Sequence, residues 1–337
     1  MAQPTVRLGY IGAGSYSRRV LLPNFRKIPG VELVVVANST QESSDAVARQ
    51  FGFARTAGHW REVVGANDID AIVVGTRTEA HYEMLPPVLE AGRHVLSMNA
   101  LCRNAVQARE LTAKAAAHPN LVALVYPAGG PAYFLREDAM MRHLLDDGYI
   151  GTVLQATDYW YAPFFGLGSM FEVGNRWFGP HTRLFGYRRG YNVEGVTVAG
   201  RAGRGEVRPE INIAIAELAS GALITYQHST VAGDSARARW EIVGNAGYVV
   251  AYAGSADAPA SFFGAQRGSS ELRPLPIPPE YANPVNVEAD FIAAIRGERE
   301  PARAVSRFED AMRLLRFGEV WRESTEKGGW CDLEYSP

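Results

Sequence analysis

A glycine-rich turn between a short apolar strand and a helix constrains the fold of this 337-residue chain more than any other segment. Residues 6–11 are predicted to form the strand, residues 12–17 read Gly-Ala-Gly-Ser-Tyr-Ser, and residues 17–27 are predicted to be helical. The next strand, residues 32–37, lacks polar alternation, which is typical of a strand buried on both faces. Strand, tight turn, helix and strand form a βαβ unit, which predicts a parallel sheet covered by helices.

The alternation of short strands and helices continues as far as residue 126. Further strands are predicted at 69–74, 94–98 and 121–126, and helices at 43–51, 79–90 and 104–117. Pro86 and Pro87 are expected to kink or split the helix at 79–90, because proline lacks the backbone donor that a helix interior uses. The pattern predicts an α/β Rossmann domain over residues 1–126.

The pattern changes after a Pro-Ala-Gly-Gly-Pro cluster at residues 127–131. Residues 211–216 alternate with a period of two, and turn sequences follow at 220–221 and 244–247. Helices are expected near 136–145, 287–296 and 308–323. We predict a second, α+β domain over residues 127–337 with a mostly antiparallel sheet.

Charge and composition exclude several classes of partner. The 34 basic and 36 acidic side chains leave a formal net charge of -2, so no net field attracts nucleic acid or anionic lipid. The longest apolar runs fall far short of the ~20 residues of a membrane span, and no secretory signal is recognisable. Cys102 and Cys331 lie far apart and form no disulfide framework, and the seven histidines show no metal-ligand spacing. We expect a cytoplasmic protein with a small-molecule substrate, no metal, and no nucleic-acid or membrane partner.

The turn at residues 12–17 matches the pattern G-x-G-x-x-G except that Ser17 holds the last position. Gly12 permits the tight turn, and Gly14 lets the backbone approach a pyrophosphate, with Ser15 and Tyr16 completing the loop. The helix N-terminus then offers unpaired amides to the anion. This context favours a nicotinamide dinucleotide cofactor over the alternative, a glycine turn that binds nothing.

The end of the second strand bears on the choice of cofactor. A site that prefers NAD usually has Asp or Glu there, whereas this chain has Asn38, Ser39 and Thr40. No carboxylate repels a 2′-phosphate, and Arg18 or Arg19 would assist, so the sequence favours NADP over NAD. The alternative is that these residues only cap the following helix, which is compatible with either cofactor.

Several segments together resemble one enzyme family. They are Leu-Gly-Tyr-Ile-Gly-Ala-Gly at 8–14, Ile-Asp-Ala-Ile-Val-Val-Gly-Thr at 69–76, His81, and Glu-Ala-Gly-Arg-His-Val-Leu at 90–96. The chain resembles the Gfo/Idh/MocA family, named for glucose-fructose oxidoreductase, inositol dehydrogenase and the rhizopine-catabolism protein. The resemblance implies a dinucleotide site that includes Thr76, with His81 orienting the loop over the nicotinamide. It also implies a large open sheet often used for oligomerisation, hence a homodimer or homotetramer, and a substrate held between the domains.

The chain departs from the family at its catalytic positions. Members usually carry Glu-Lys-Pro after His-Val-Leu, and the lysine assists proton transfer, but Asn99 takes its place here. A second family motif, Asp-x-x-x-His, keeps its histidine as His181, whereas Trp177 replaces the aspartate. Asn99 cannot carry a proton, and losing a positioned general acid or base typically lowers the rate by about 10²- to 10⁴-fold.

Three residues are the catalytic candidates: His181, Tyr126 and Asn99. His181 is expected to exchange protons near neutrality, because an ordinary histidine has a pKa of about 6.5. Tyr126, at the end of the last strand of the first domain, and the Asp-Tyr-Trp-Tyr run at 158–161 offer phenols or stacking faces. For the tyrosines the alternative is a role as buried interfacial residues, and for His181 that of a helix histidine satisfied by backbone.

The combined prediction is an NAD(P)-dependent oxidoreductase. Hydride would pass to or from a carbonyl, imine or hydroxyl of a sugar-like or cyclic metabolite, with a proton supplied by His181, a tyrosine or water. One alternative is a lyase or glycoside-cleaving enzyme that retains its cofactor without net redox change. Another is a non-catalytic protein that binds a dinucleotide or metabolite.

Overall fold

The computed structural model describes residues 4–127, 131–161, 167–192, 198–199, 206–207, 210–231, 237–254, 259–281, 286–301 and 305–335. The strands in chain order are β1 Val6–Ile11, β2 Val31–Ala37, β3 Arg55–Thr56, β4 Ala71–Val74, β5 His94–Ser97, β6 Ala123–Val125, β7 Val153–Tyr161, β8 His181–Gly190, β9 Val198–Ala199, β10 Glu206–Val207, β11 Glu210–Leu218, β12 Leu223–Ser229, β13 Arg237–Gly244, β14 Gly247–Tyr252, β15 Ser261–Gln266, β16 Arg273–Leu275, β17 Ser306–Arg307 and β18 Cys331–Asp332. The helices are α1 Leu22–Phe25, α2 Gln41–Phe51, α3 Trp60–Val64, α4 Thr78–Glu90, α5 Ala105–Ala116, α6 Pro131–Asp146, α7 Leu167–Phe178, α8 Val287–Ile295 and α9 Phe308–Lys327, with a π-helix at Ser17–Leu21 and a 3₁₀ turn at Pro279–Tyr281.

The N-terminal part of the chain forms a seven-stranded sheet in the order β17-β6-β5-β4-β1-β2-β3. All neighbouring pairs from β6 to β3 are parallel, and only β17 pairs antiparallel, at the β6 edge. Strand β4 is buried along its whole length, as a strand covered by helices on both faces should be. Helix α4 runs continuously from Thr78 to Glu90, so the expected split at Pro86 and Pro87 does not occur.

The later part of the chain forms a nine-stranded sheet in the order β16-β15-β14-β13-β7-β12-β11-β8-β18. Every neighbouring pair is antiparallel except β7 and β12. One face carries buried side chains such as Tyr226, Asp158 and Trp240, which share a row across β12, β7 and β13. The parallel first sheet and the mostly antiparallel second sheet confirm the predicted fold class.

The chain divides into two units, Met1–Pro127 with Val285–Leu315, and Ala128–Pro284 with Arg316–Pro337. The predicted domain limits, 1–126 and 127–337, stay a prediction, and the observed units differ from them in residues 285–315. Within the first unit, Phe308, Ala311 and Met312 of this late segment complete the apolar core around β1 and β4. The sequence does not predict that this late segment joins the first unit. The helical pattern of residues 308–323 indicates a helix but does not reveal which core the helix joins.

No helix in the described ranges is long and apolar enough to cross a bilayer. The same ranges contain no group of three or more His, Cys, Asp or Glu side chains arranged to hold a metal ion.

Candidate cofactor-binding site

The loop after β1 is held by backbone hydrogen bonds to both neighbouring strands. The amide of Gly12 donates to the carbonyl of Ala37 at 2.8 Å, and the amide of Gly75 donates to Ile11 at 2.7 Å. Gly12 has a φ of 81°, and a Cβ atom there would lie 2.5 Å from Cγ2 of Thr76. Glycine at position 12 is therefore required by the chain's own backbone and packing.

Gly14 is a glycine for a different reason. It is exposed, its φ lies outside the left-handed region, and a Cβ atom built on it meets nothing within 4 Å. The protein itself does not need glycine there, whereas a ligand that approaches the backbone closely does. Ser15, next along the loop, is also exposed, and the first helical turn leaves amides without intrahelical acceptors. This geometry fits the diphosphate of a dinucleotide.

The helix after the loop begins as a π-helix, Ser17–Leu21, and only then continues as α1. The amide of Leu22 donates to the carbonyl of Ser17, five residues back. Ser17 is buried, and its Oγ lies 3.1 Å from a Cβ atom built on Gly75. A small residue at the last position of the motif thus lets the helix approach the loop after β4.

Asn38 and Arg18 hold the glycine loop from the side of β2. Oδ1 of Asn38 accepts from the amide of Ala13 at 2.7 Å, and its Nδ2 donates to Oγ of Ser43 at 2.9 Å. Arg18 donates through Nε to the carbonyl of Ala13 and through Nη2 to Oγ of Ser43, both at 3.0 Å. Sequence reasoning missed this network, because it joins residues 25 positions apart and no local pattern encodes it.

The other two residues at the end of β2 behave differently from Asn38. Thr40 is the N-cap of α2, and its hydroxyl accepts from the amide of Ser43 at 3.2 Å, which is the capping alternative foreseen from the sequence. Ser39 is exposed beside it. Contact of either residue with a ribose stays a prediction.

His81 joins the loops that follow β4 and β5. Its Nε2 lies 3.1 Å from the carbonyl oxygen of Thr76, its Nδ1 lies 3.0 Å from that of Ala100, and the side chain is fully buried. Burial lowers the pKa of His81, although both carbonyl contacts oppose that shift. A ring enclosed in this way holds the two loops together. Its role in orienting a loop over the nicotinamide stays a prediction.

The predicted positions in the first unit share one edge of its sheet. Strands β1, β2, β4, β5 and β6 run parallel, so the glycine loop, residues 38–40, Thr76, Asn99 and Tyr126 all follow carboxyl ends. Ligands of open α/β sheets bind at this edge. Asn99 is partly buried in the loop after β5.

Tyr126 packs against the glycine loop. Its ring packs edge-on against the ring of Tyr16 with centroids 5.9 Å apart, and the side chain is almost fully buried. Its hydroxyl has no partner of hydrogen-bonding geometry among the described residues. Burial, and after it the charge of Glu288, raise the pKa of Tyr126, so the phenol keeps its proton at neutral pH.

His181 belongs to the second unit, where it begins β8 and is not a helix residue. It is 1% exposed, its Nε2 lies 2.7 Å from the hydroxyl of Tyr226, and its ring packs against Phe171 and Phe317. Burial lowers the pKa of His181 to about 3. The sequence analysis expected His181 to exchange protons near neutrality because it assumed an ordinary histidine pKa. A buried imidazole with a lowered pKa is instead neutral at neutral pH.

Trp177, which the resemblance predicts at the position of the family's aspartate, lies in the same unit as His181. Its Nε1 donates to Oδ1 of the buried Asp138 at 2.8 Å. Within the run at 158–161, Asp158 and Trp160 are buried in the second unit. Burial raises the pKa of Asp158 well above its usual range.

Comparison with known proteins agrees with the geometry of the first unit. Residues 6–126 match the family model described as an oxidoreductase family with an NAD-binding Rossmann fold, Gfo/Idh/MocA. The glycine loop, Thr76 and His81 lie within the matched residues, and over this segment the resemblance predicted from the sequence is confirmed.

The individual relatives of this chain are distant. A 1,5-anhydro-D-fructose reductase of Ensifer adhaerens is 31% identical over 153 residues, 44% of each chain. Inositol 2-dehydrogenase 3 of Saccharopolyspora erythraea is 31% identical over 156 residues, 45% of this chain and 44% of its own length. The matches thus span less than half the length of these curated relatives.

Among solved structures, levoglucosan dehydrogenase in complex with NADH and L-sorbose superposes with a TM-score of 0.78. That alignment covers 98% of this chain and 99% of the other at 16% identity, which shows the fold alone.

Proposed function

We propose that this protein is an NAD(P)-dependent oxidoreductase that transfers hydride to or from a carbonyl, imine or hydroxyl of a sugar-like or cyclic metabolite. The observation that carries the proposal is Gly14, where the backbone borders open space at the carboxyl edge of a parallel sheet. Curated relatives named as a sugar reductase and an inositol dehydrogenase support the reaction class and the substrate class.

The residues of the first unit have separate parts in this proposal. Amides of the loop at 12–17 hold the diphosphate, residues 38–40 meet the adenosine ribose, and Thr76 borders the nicotinamide side. Asn38, Arg18 and His81 fix the loops that present these groups. The bound nicotinamide supplies the hydride acceptor or donor.

Proton transfer must proceed without the lysine of the family. Asn99 donates a hydrogen bond to the substrate oxygen or nitrogen, which orients the reacting carbon. The proton then passes through water or the Tyr126 phenol, which is protonated at neutral pH. His181, as a neutral imidazole, positions Tyr226 in this proposal. A substrate such as a protonated imine suits this site because it needs little acid catalysis.

Turnover is tested by absorbance at 340 nm with NADH or NADPH and a panel of carbonyl, imine and polyol compounds. We expect at least one substrate, and a loss of about tenfold or more in kcat for Asn99→Ala. Product formed without added cofactor, by protein purified with cofactor bound, would instead show the lyase alternative. Cofactor binding without any turnover would show the non-catalytic alternative.

We further propose that the site prefers NADP to NAD. Asn38 carries no negative charge, and the exposed Ser39 and Arg19 lie at the same end of β2 and in the adjoining helix. Asn38→Asp keeps an acceptor for the amide of Ala13 and adds a charge that repels a 2′-phosphate. We expect wild type to bind NADPH more tightly than NADH, and this variant to reverse the order. Tighter binding of NADH by wild type would contradict the preference.

The second sheet supports a proposed homodimer or homotetramer. Tyr187, Leu223, Val243 and Tyr252 lie on the face opposite the buried row and are 37–43% exposed. Several exposed apolar and aromatic side chains on one sheet face are typical of an interface between subunits. The cytoplasmic location expected from the composition stays a prediction.

A further inference from the structure

A buried carboxyl group on α8 contacts α1, which continues the helix that follows the candidate cofactor loop. Glu288, in the first turn of α8, is 0% exposed. Its Oε1 accepts from Nδ2 of Asn24 at 3.3 Å, a long hydrogen bond, and its Oε2 has no partner among the described residues. An ionised carboxylate in such surroundings is unfavourable, because one weak amide contact does not replace its hydration.

Three phenols are affected electrostatically by this carboxyl group. Burial raises the pKa of Tyr10, Tyr16 and Tyr126, and the charge of Glu288 raises each further, so Glu288 lies within electrostatic range of all three. The hydroxyls of Tyr10 and Tyr126 are buried without a partner of hydrogen-bonding geometry in the described part of the chain. Tyr16 differs from them because it is only partly buried and belongs to the glycine loop.

We propose that Glu288 is a positioning residue for the cofactor loop, which it supports as a neutral acid and weakens once it loses its proton. The inference rests on the proposed function, because it assumes that the loop at 12–17 holds the dinucleotide. Loss of the proton creates a buried anion within electrostatic range of Tyr16, whose ring packs against that of Tyr126. The new negative charge then opposes the binding of the negatively charged diphosphate at the loop.

The neighbouring groups described below do not neutralise the charge of an ionised Glu288. From the loop and the helix that follows it come Ser17, which is neutral, and Arg19, which is exposed and lies over the ring of Tyr16 at 6.0 Å. On its own helix, Asp290 is paired with Arg299. Burial raises the pKa of Glu288 to about 7, although its own backbone amide and Asn24 favour the ionised form. Its proton is therefore gained and lost near neutrality.

The experiment measures the Kd of NADH by calorimetry between pH 6 and 8.5 at constant ionic strength. NADH is the probe because its diphosphate does not titrate in this range. The variant is Glu288→Gln, which keeps the shape and neutrality of the acid, and the matched control is Glu300→Gln, an exposed carboxylate of the same late segment. Circular dichroism confirms folding at each pH.

We expect the Kd of wild type and of the control to rise by about tenfold over this range, in line with an ordinary coupling free energy between two sites. Glu288→Gln should keep the tight Kd of pH 6 throughout. Wild-type binding at pH 7.5 should also take up a fraction of a proton, which calorimetry in two buffers of different ionisation enthalpy measures without any variant.

Two results overturn the inference while leaving the proposed function intact: a wild-type Kd that does not change with pH, or an equal pH dependence in Glu288→Gln. If folded wild type binds neither NADH nor NADPH at any pH, the proposed function fails and the inference fails with it.

Discussion

At the scale of single residues, glycine is needed at positions 12 and 14 of the same motif for two different reasons. Gly12 has a left-handed backbone and lies against Thr76, whereas Gly14 faces open space. The sequence motif predicts both glycines but does not separate them, because the distinction depends on how closely β4 approaches the loop. For the same reason, the sequence shows the motif that contains His181 but does not show that this side chain is buried.

The two glycines should respond differently to alanine. Gly12→Ala should lower the free energy of unfolding by about 2 kcal/mol or more, because the new Cβ atom meets Thr76 and the backbone is strained. Gly14→Ala should change it by less than about 1 kcal/mol, because nothing lies within 4 Å of the new atom. Urea unfolding monitored by circular dichroism measures both values. Equal destabilisation by the two substitutions would contradict this explanation.

Glu288 should also link stability to pH. Its pKa rises from the ordinary 4.5 to about 7 in the folded state. The stability associated with the neutral acid is thus fully present below about pH 4.5 and is lost as the pH rises through 7. Glu288→Gln should be more stable than wild type at pH 8 by up to about 3 kcal/mol, with a much smaller difference at pH 5. Unfolding curves at both values test this, and an unchanged difference would contradict it.

At the scale of elements, hydrophobic pattern predicts β1, β2, β4, β5 and β6 and the longer helices of the first unit in their correct order, but it does not predict the short elements β3, α3 and β17. The π-helix at Ser17–Leu21 cannot be predicted from the hydrophobic pattern. A single π turn is too short to produce a hydrophobic period that differs from that of an α-helix. Asn38 likewise becomes a support for the loop only when β1 and β2 pair in register.

Helix α7 packs closely against the second sheet at Gly174. A Cβ atom on Gly174 would lie 1.9 Å from the hydroxyl of Tyr226, which is also the partner of His181. We expect Gly174→Ala to lower the free energy of unfolding by about 2–4 kcal/mol, through overpacking and loss of that hydrogen bond.

The control for this prediction is Gly318→Ala in α9, where nothing lies within 4 Å of the new atom. It should stabilise the protein by about 0.5–1 kcal/mol, because alanine favours a helix more than glycine does. Thermal unfolding of both variants provides the comparison. If Gly174→Ala is as stable as the control, α7 does not require the contact with Tyr226.

At the scale of the whole molecule, the late segment 285–315 is the feature that sequence reasoning missed. It adds β17 to the first sheet, Phe308 to its core and the buried Glu288 beside Asn24 of α1. The sequence separation between Asn24 and Glu288 is 264 residues, so their contact is a property of the folded chain alone.

The open face of the second sheet should determine the oligomeric state. Leu223 and Val243 lie in one row on either side of Gln155, so lysine at both positions places two charges in the same apolar area. We expect light scattering to show a dimer or tetramer for wild type and a monomer for the double variant. Val106→Lys, at an exposed apolar residue of the first unit, should leave the assembly unchanged. A monomeric wild type would contradict the proposal.

The most direct test of the central claim is a titration of folded protein with NADH and NADPH by calorimetry, comparing wild type with Gly14→Ala. We expect saturable binding of one dinucleotide per chain, and an affinity at least about tenfold weaker for the variant, whose fold is intact. Absence of heat at millimolar cofactor with folded wild type, or equal affinities for the two proteins, would contradict it.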